Sequence, residues 1–536
     1  MRKSAALQRV HSARGLWLAA RGTLAPLAQP LLLGAAVYLG LYFQLGGFPL
    51  FDVDEGAFSE ATREMLARGD YVTTWLNGEL RFDKPILTYW LQAASVALLG
   101  VDEFAFRLPS ALASTGWIAA IFLFARRQLG PADGYAAALV AATTLGVCVI
   151  GRGAIADALL NMFLALAMFD IYRYLGQPRA RYRYRAFLWM GLGLLTKGPV
   201  ALLVPFAASG VAFALQGQWR SWLRAAFDPL GWLVLAVVAG PWYVLEYLRQ
   251  GDAFIAGFFM RHNVERFMSP LQGHSGNVLF YVPVVLLVLL PYTGLFLRVL
   301  PRIRQLRSDP LDCFLWCWFV FVFVFFSFAG TKLPHYLLYG VTPLFVLMAR
   351  YRELLAARLF AVRLLALLPP ILLLGLVVAL PHALERFGPR TRNLYFRDML
   401  TRVEVFGTGW QVAASALLLT GLALALAPRL ALWPRLVGCA FLCSLAVGAL
   451  ALPALGELQQ GPVKEAALLA RAQGLPVRTW HFNVPSFSVY RGAVTERASQ
   501  LRAGEVILTR SDELQRLGPV KVLYRKGGVV LARIPS

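Results

Sequence analysis

Acidic residues are scarce in this sequence: 29 Asp and Glu stand against 52 Lys and Arg, and only 15% of the 536 residues carry charge. A soluble globular enzyme needs about a quarter, so that class is excluded. Cysteine is scarcer still. Cys148, Cys313, Cys317, Cys439 and Cys443 all lie inside apolar stretches, which excludes a disulfide framework and makes the two i, i+4 pairs packing residues. There is no internal repeat and no low-complexity tract, and a transporter built from repeated halves would show the first. Nor does the C-terminal tail contain a Gly-rich phosphate loop.

What remains is apolar. Hydrophobic residues make up 58% of the chain and the mean hydropathy is +0.59, values of a polytopic α-helical membrane protein. The net charge of +23 comes from Arg scattered through short loops between apolar runs. That is the positive-inside pattern and not the basic stripe of a nucleic-acid binder. Arg2, Lys3, Arg9, Arg14 and Arg21 precede the apolar run 31–51 with no small-residue cleavage site after it, so this run reads as an uncleaved signal anchor.

At ~20 apolar residues per crossing, about thirteen spans fit, at 30–48, 105–125, 133–150, 157–175, 186–195, 199–215, 229–248, 277–297, 312–329, 335–349, 361–380, 408–427 and 436–455. Arg-rich loops then alternate onto the side of the N-terminal segment 1–29, the cytoplasmic side. "PILTYWLQAASVALLG", residues 85–100, is short and would invert every later loop if it crossed, so it reads as an interfacial helix. The division expected is a cytoplasmic segment 1–29, a membrane domain 30–455 with outer loops 49–104 and 249–276, and a tail 456–536. Val477–Phe482, Glu505–Thr509, Val520–Tyr524 and Val529–Ile534 alternate with the helix-like "VKEAALLARAQG", so the tail reads as a small α/β domain on the outer side, a lid or cap.

The informative polar residues collect on that outer face. "DVDE" (52–55) opens a helix-like stretch, and a solvated loop would not gather carboxylates so tightly. In "FDKPILTYW" (82–90), Lys84 precedes the interfacial helix, where an ammonium meets lipid phosphate or simply snorkels. Asp157 fits a helix N-terminus. "FAGTKLPHYLLY" (328–339) places Lys332, His335 and Tyr336 at a Pro-enforced turn, with Lys and Tyr as phosphate-oxygen donors. "MRHNVERF" and "GHSGN" add Arg261, His262, Arg266 and His274, an anion-binding cluster more simply than a His–carboxylate metal site. Carboxylates and phosphate-reading cations at one membrane edge suit a reaction in which a lipid phosphate leaves.

These motifs, together with "GLLTKGP" (193–199) and "GHSGNVLFYVPVVLLVLLPYT" (273–293), resemble integral-membrane glycosyltransferases of the GT-C class over residues 30–345. They are most similar to the aminoarabinose (4-amino-4-deoxy-L-arabinose) transferases that modify lipid A, with protein O-mannosyltransferases more distant. The resemblance implies the GT-C fold with thirteen spans and a site at the outer side of a bacterial inner membrane. The implied reaction is inverting sugar transfer from undecaprenyl phosphate or a similar polyprenyl phosphate. The implied acceptor is lipid A, another glycolipid or a further envelope molecule; the partners are membrane lipids and no nucleic acid. It implies Asp54 and Asp157 as the catalytic carboxylates and Lys84, Arg266 and Tyr336 as carrier-phosphate ligands. Glu55, Lys197, His262, His274, Lys332 and His335 remain as candidate substrate-binding residues. Asp83 lies where relatives have a Glu implicated in binding a metal, so no cofactor is required but a divalent Zn or Mg ion at Asp83 is a candidate. Arg81 stands in place of an aromatic residue, and Ile86 and Tyr339 in place of prolines. The rival readings are a protein O-mannosyltransferase-like enzyme and a lipid-linked sugar flippase.

Overall fold

The computed structural model describes residues 28–265, 276–356 and 359–535, without the side chains of 262–264 and 515. An apolar helix α1 (Ala28–Tyr42) ends in π-helical turns and leads into the first loop. That loop holds α2 (Asp54–Arg68), a hairpin of β1 (Trp75–Leu76) and β2 (Glu79–Leu80), and α3 (Leu87–Leu99). Asn77 and Gly78 take positive φ at the hairpin's two-residue turn, as the strand twist demands. The bundle follows with α4 (Glu103–Leu129), α5 (Pro131–Thr143), α6 (Leu145–Gly151), α7 (Asp157–Gly176), α8 (Ala180–Lys197), α9 (Val200–Leu215), α10 (Trp219–Ala226) and α11 (Pro229–Gln250). A short α12 (Asp252–Phe254) continues as π-helical turns over Ile255–Glu265. Then come α13 (Tyr281–Val288), α14 (Thr293–Val299), α15 (Pro310–Phe328), a 3-10 helix Pro334–Gly340, α16 (Thr342–Arg350), α17 (Phe360–Phe387), α18 (Leu394–Leu400), α19 (Thr408–Leu426) and α20 (Leu432–Ala472).

Among the described residues seven helices are long and apolar enough to cross a membrane, α4, α7, α11, α15, α17, α19 and α20. Two bent pairs raise that to nine: α5 with α6, turned by 62°, and the helices around α13 and α14, turned by 118°. Of the thirteen runs expected to cross, seven to nine are matched by helices long and apolar enough to do so. The 335–349 run is a 3-10 turn plus a nine-residue helix, and 186–195 belongs to the Arg-rich α8. Helices walled in by protein do not need to be long, because their backbone ends find partners inside the bundle. The apolar run 85–100 is the separate short helix α3.

Burial sorts the helices. The most apolar window of α7 is 72% buried and that of α19 only 11%, so α7 runs through the centre and α19 lies at the rim. Aromatic residues fill the middle: Phe124 stacks on Phe169 at 4.0 Å. Two of the buried indoles find acceptors, Trp117 donating to Thr342 Oγ1 at 2.9 Å and Trp318 to Tyr339 O at 2.8 Å, an unmet N–H costing several kcal/mol in such a place, while Trp316 Nε1 is buried without a hydrogen-bond partner. Helix starts follow local chemistry. Asp102, Asp228 and Asp309 cap α4, α11 and α15 by accepting from Ala105 N, Gly231 N and Leu311 N.

α20 runs unbroken through position 456, so no linker separates membrane part from tail. Its last turns supply Val463, Ala466, Ala467 and Ala470 to the tail's core. Against them packs a four-stranded sheet of β3 (Val477–Thr479), β4 (Val506–Arg510), β5 (Lys521–Lys526) and β6 (Val529–Arg533) in the order β3-β4-β6-β5. β3 and β4 are parallel and the other pairs antiparallel; α21 (Ser486–Arg491) and α22 (Leu514–Leu517) join the strands.

Candidate active site

α2 opens with two carboxylates that its helical turn sends in different directions. Glu55 points inward to Arg107 of α4, which is wholly buried and donates Nε to Oε1 at 2.9 Å and Nη2 to Oε2 at 2.8 Å. Ala154 N and Phe51 N also donate to Glu55, at 2.7 and 2.8 Å. Arg107 spends its other hydrogens on the carbonyls of Leu45, Phe48 and Pro49. Glu55, a sequence candidate for substrate binding, therefore sits in a brace between α2, α4 and the turn before α2.

Asp54 is exposed, at a helix N-terminus where the macrodipole favours an anion. Facing it are residues from the hairpin's exit. Arg81 donates Nε to Tyr89 Oη at 3.2 Å and Nη2 to Asp83 Oδ2 at 3.0 Å, and Lys84 Nζ donates to Asp83 Oδ1 at 2.7 Å. Burial works against the Arg81 charge, yet Tyr89, Asp83 and Asp54 together hold its pKa above the usual value. With a guanidinium on one oxygen and an ammonium on the other, Asp83 does not fit a divalent ion. Among the described residues no three His, Cys, Asp or Glu side chains converge as ligands.

A second group forms where α7, α8 and the 3-10 helix meet. Asp157, 3% exposed, accepts on Oδ1 from Lys197 Nζ at 2.6 Å and from Tyr339 Oη at 2.8 Å, and His335 Nε2 lies 3.9 Å away. Tyr336 and Tyr339 are three residues apart on a 3-10 helix and so share a face. Lys197 Nζ lies over both rings, at 5.8 and 5.6 Å, a cation–π arrangement. Lys332 is turned away: its Nζ donates to Ser327 O and Ala329 O at 2.8 and 2.7 Å, capping the end of α15.

One apolar cluster joins the two groups, with Phe58, Ile86 and Tyr89 from the first, Ala156 beside Asp157, Leu195 near Lys197, and Phe258. Gly198, at φ +88°, lies against the Phe258 ring, where a Cβ would come within 2.8 Å of Cζ. The π-helical turns carrying Phe258 thus pack beside both groups and lead, through the exposed Arg261, into the loop after them. Arg266 and His274 lie outside the described residues, as does the His262 side chain.

The tail clamps the first loop two residues before Asp54. Ser486 donates to Asp52 from its N at 3.0 Å and from its hydroxyl, and the Gln460 amide, turned to suit, donates to Asp52 Oδ2 at 3.1 Å. Tyr490 Oη accepts from Leu50 N at 2.7 Å and donates to Glu103 at 3.0 Å. Burial pushes the Asp52 carboxyl up to about 7, the Ser486 hydrogen bonds only partly offsetting it. Glu60, buried in α2 against Arg63, is likewise pushed by burial to about 7.

Sequence reading did not assign a site role to Arg81, Tyr89, Tyr339 or Asp52. The i, i+3 spacing of the two tyrosines after a Pro was the available signal for Tyr339. Asp52 stood out only as a member of the DVDE cluster and Arg81 only as a replacement for an aromatic residue, because their partners are remote in sequence or defined by the hairpin. Chemically, the arrangement offers one exposed carboxylate beside two fixed cations, and an ammonium with two phenols and an imidazole around a buried carboxylate.

A family model described as dolichyl-phosphate-mannose-protein mannosyltransferase matches residues 83–244. The undecaprenyl phosphate-alpha-4-amino-4-deoxy-L-arabinose arabinosyl transferase of Aeromonas salmonicida is 33% identical over 308 residues, 56% of either chain. Its counterpart in Photorhabdus laumondii is 30% identical over 357 residues, 63% of this chain and 64% of that one. The chain thus matches less than two thirds of these relatives' length. The crystal structure of ArnT from Cupriavidus metallidurans bound to undecaprenyl phosphate superposes with a TM-score of 0.76 at 22% identity, covering 96% of this chain and 98% of that one. The resemblance read from the motifs is borne out, and the fold is that of the GT-C transferase ArnT.

Proposed function

We propose that this polytopic membrane protein transfers a sugar from a polyprenyl phosphate, undecaprenyl phosphate by analogy with its relatives, to lipid A or a related envelope glycolipid, with inversion. The observation that carries this is the exposed Asp54 carboxylate beside the Arg81–Asp83–Lys84 group, one apolar cluster away from Asp157, Lys197 and Tyr336. Adding the helices α1, α8, α9 and α16 to the nine candidate crossings gives thirteen spans. The Asp54 end and the tail domain then face the periplasm of a bacterial inner membrane, and the Arg-rich loops face the cytoplasm.

Breaking the sugar–phosphate bond leaves negative charge on the phosphate and oxocarbenium character on the sugar. Lys84, with Arg81 next to it, meets the departing phosphate on one side and Tyr336 on the other; Arg266, outside the described residues, is the further carrier-phosphate candidate. Asp157 holds Lys197 and Tyr339 in place, so Lys197 presents a fixed positive charge beside Tyr336. Asp54 takes the proton of a hydroxyl acceptor; for a phosphate acceptor, already ionised, it steadies the sugar's positive charge instead. No step needs a metal, and turnover survives EDTA. Loss of turnover on chelation, restored by Zn or Mg, would put a metal back into the site.

The family model over 83–244 favours a second acceptor class, a protein hydroxyl. A flippase reading places its polar residues at mid-membrane, unlike the groups here. Mass spectra of lipid A and of carrier lipids from cells bearing the wild type or Asp54→Asn decide among these. A mass increment on lipid A, lost in the variant while sugar-loaded carrier accumulates, supports the lipid A reading. Unchanged lipid A with accumulating carrier moves the acceptor to protein or polysaccharide, and no change in either pool refutes sugar transfer.

A further inference from the structure

The far end of the bundle carries a recess that the reaction above does not use. α7 is 20 residues long, so its C-terminal end lies about 30 Å from Asp157. There, the ends of α4, α7 and α9 and the start of α8 enclose a recess of about 360 Å³ lined by Arg127, Arg173, Tyr172, Tyr182, Gln216 and Gln218 among others, none of them acidic. Every named lining side chain can donate a hydrogen bond. Arg181 donates to Tyr182 Oη at 2.9 Å, and Arg173 and Arg179 also bear electrostatically on that hydroxyl.

The acids nearby are already engaged. Asp170 accepts from Arg173 at 2.8 Å and from Trp189 at 3.1 Å, and pairs with Arg185. Asp309 and Asp312 are held by Arg350. Among the described residues Arg127 in the lining, and Arg179 and Arg181 next to the lining Tyr182, form no ion pair, so positive charge at the recess exceeds negative. These arginines are exposed, and what sets them apart from the other Arg-rich loops is the recess of phenols and amides beside them.

Elsewhere α7, α8, α9 and α10 leave a small apolar hollow of about 40 Å³ lined by Ile171, Phe187, Met190, Phe206 and Trp222. Arg183 also lines it, with an Nε that is buried and has no hydrogen-bond partner. α10 borders the hollow with Trp222, on which Trp219 stacks at 5.0 Å, while Arg220 and Arg224 are exposed. A short helix with tryptophans and outward arginines suits a membrane surface.

We propose that the recess is a second phosphate site, separate from the carrier-phosphate site, binding a phosphate-bearing anion: an anionic phospholipid headgroup or a free phosphate. Basic pockets between helix ends at a membrane surface bind such groups. Two arms distinguish the sources. Native mass spectrometry of the full-length protein from phosphatidylglycerol–phosphatidylethanolamine nanodiscs counts retained anionic lipid, and thermal unfolding of delipidated protein with added inorganic phosphate reads the free anion. The test variant is Arg127→Glu/Arg181→Glu; the control is Arg304→Glu/Arg429→Glu, the same charge change at exposed positions on other Arg-rich loops.

Retention of phosphatidylglycerol falling roughly tenfold in the test variant but not in the control supports a lipid headgroup site. A phosphate-induced rise in unfolding temperature lost in the same variant, without lipid retention, supports a free-phosphate site. Equal losses in test and control, or no loss in either arm, overturn the proposal. Unfolding temperatures of both variants in phosphatidylcholine confirm that each folds.

Discussion

Asp54 and Glu55 are adjacent in sequence and opposite in task, and substitution separates the two. Asp54→Asn removes an exposed carboxylate without emptying a buried site, so turnover falls by ~10²–10⁴-fold while the unfolding temperature stays within a degree or two. Glu55→Gln leaves Arg107 buried with a weakened partner; breaking such a pair costs ~3–5 kcal/mol, so stability falls sharply and activity follows it. Thermal unfolding beside lipid-linked turnover reads the two apart, and the opposite assignment would appear as a stability loss in the Asp54 variant. Asp52 has its own signature. Its carboxyl ordinarily titrates at 3.8 and in the fold at about 7, so between those values the folded state holds a proton that the unfolded chain has released. The contribution to stability is full below pH 4 and is lost as pH rises through 7. Hydrogen exchange of residues 486–491 should therefore speed up from pH 5 to 8 beyond the intrinsic rate, and Asp52→Asn should shrink that rise.

At the scale of elements, the 3-10 helix Pro334–Gly340 decides the second group, since its three-residue turn stacks Tyr336 and Tyr339 over Lys197. Tyr339→Phe removes one of the two short hydrogen bonds to Asp157, and bonds to charged groups contribute ~1.5–3 kcal/mol. It should slow turnover and raise the donor KM, whereas Leu338→Met on the same helix should not; equal effects would mean that the helix matters only as packing. Much of this layer was legible in the sequence. The long spans announce themselves by length and hydropathy, the hairpin by Asn77-Gly78, and the tail strands by β-rich runs that fall within a few residues of where they form. The shorter helices were legible only as apolar runs, because their ends are satisfied by neighbours that no local pattern reveals. The inward turn of Glu55 depends on Arg107, and the Asp52 clamp on Ser486, 434 residues away; pairings at such separation leave no periodic trace. Arg81 drew notice only as a departure from relatives, and its place beside Asp83 and Tyr89 needed the hairpin geometry.

For the whole molecule, the tail is part of the fold that holds the site. Cutting the chain after residue 472 exposes Val463, Ala466, Ala467 and Ala470 and strips Ser486 from Asp52 and Tyr490 from Leu50. The truncated protein should still insert, yet lose turnover and show raised exchange over 50–60; full activity would reduce the tail to an accessory. α20 gives this arrangement a mechanical side. Its 41 residues make a rod about 60 Å long, twice the ~30 Å of a bilayer's hydrocarbon core. Its apolar half packs on the helix bundle as a candidate crossing, and the other is built into the domain that grips the loop carrying Asp54. Such a rod tilts when the bilayer thins and straightens when it thickens, and Gln460, Ser486 and Asp52 would convey that tilt to Asp54, the carboxylate proposed to act in transfer. Transfer rates in vesicles of increasing acyl-chain length should pass through an optimum, making the enzyme a gauge of the thickness of the membrane it works in.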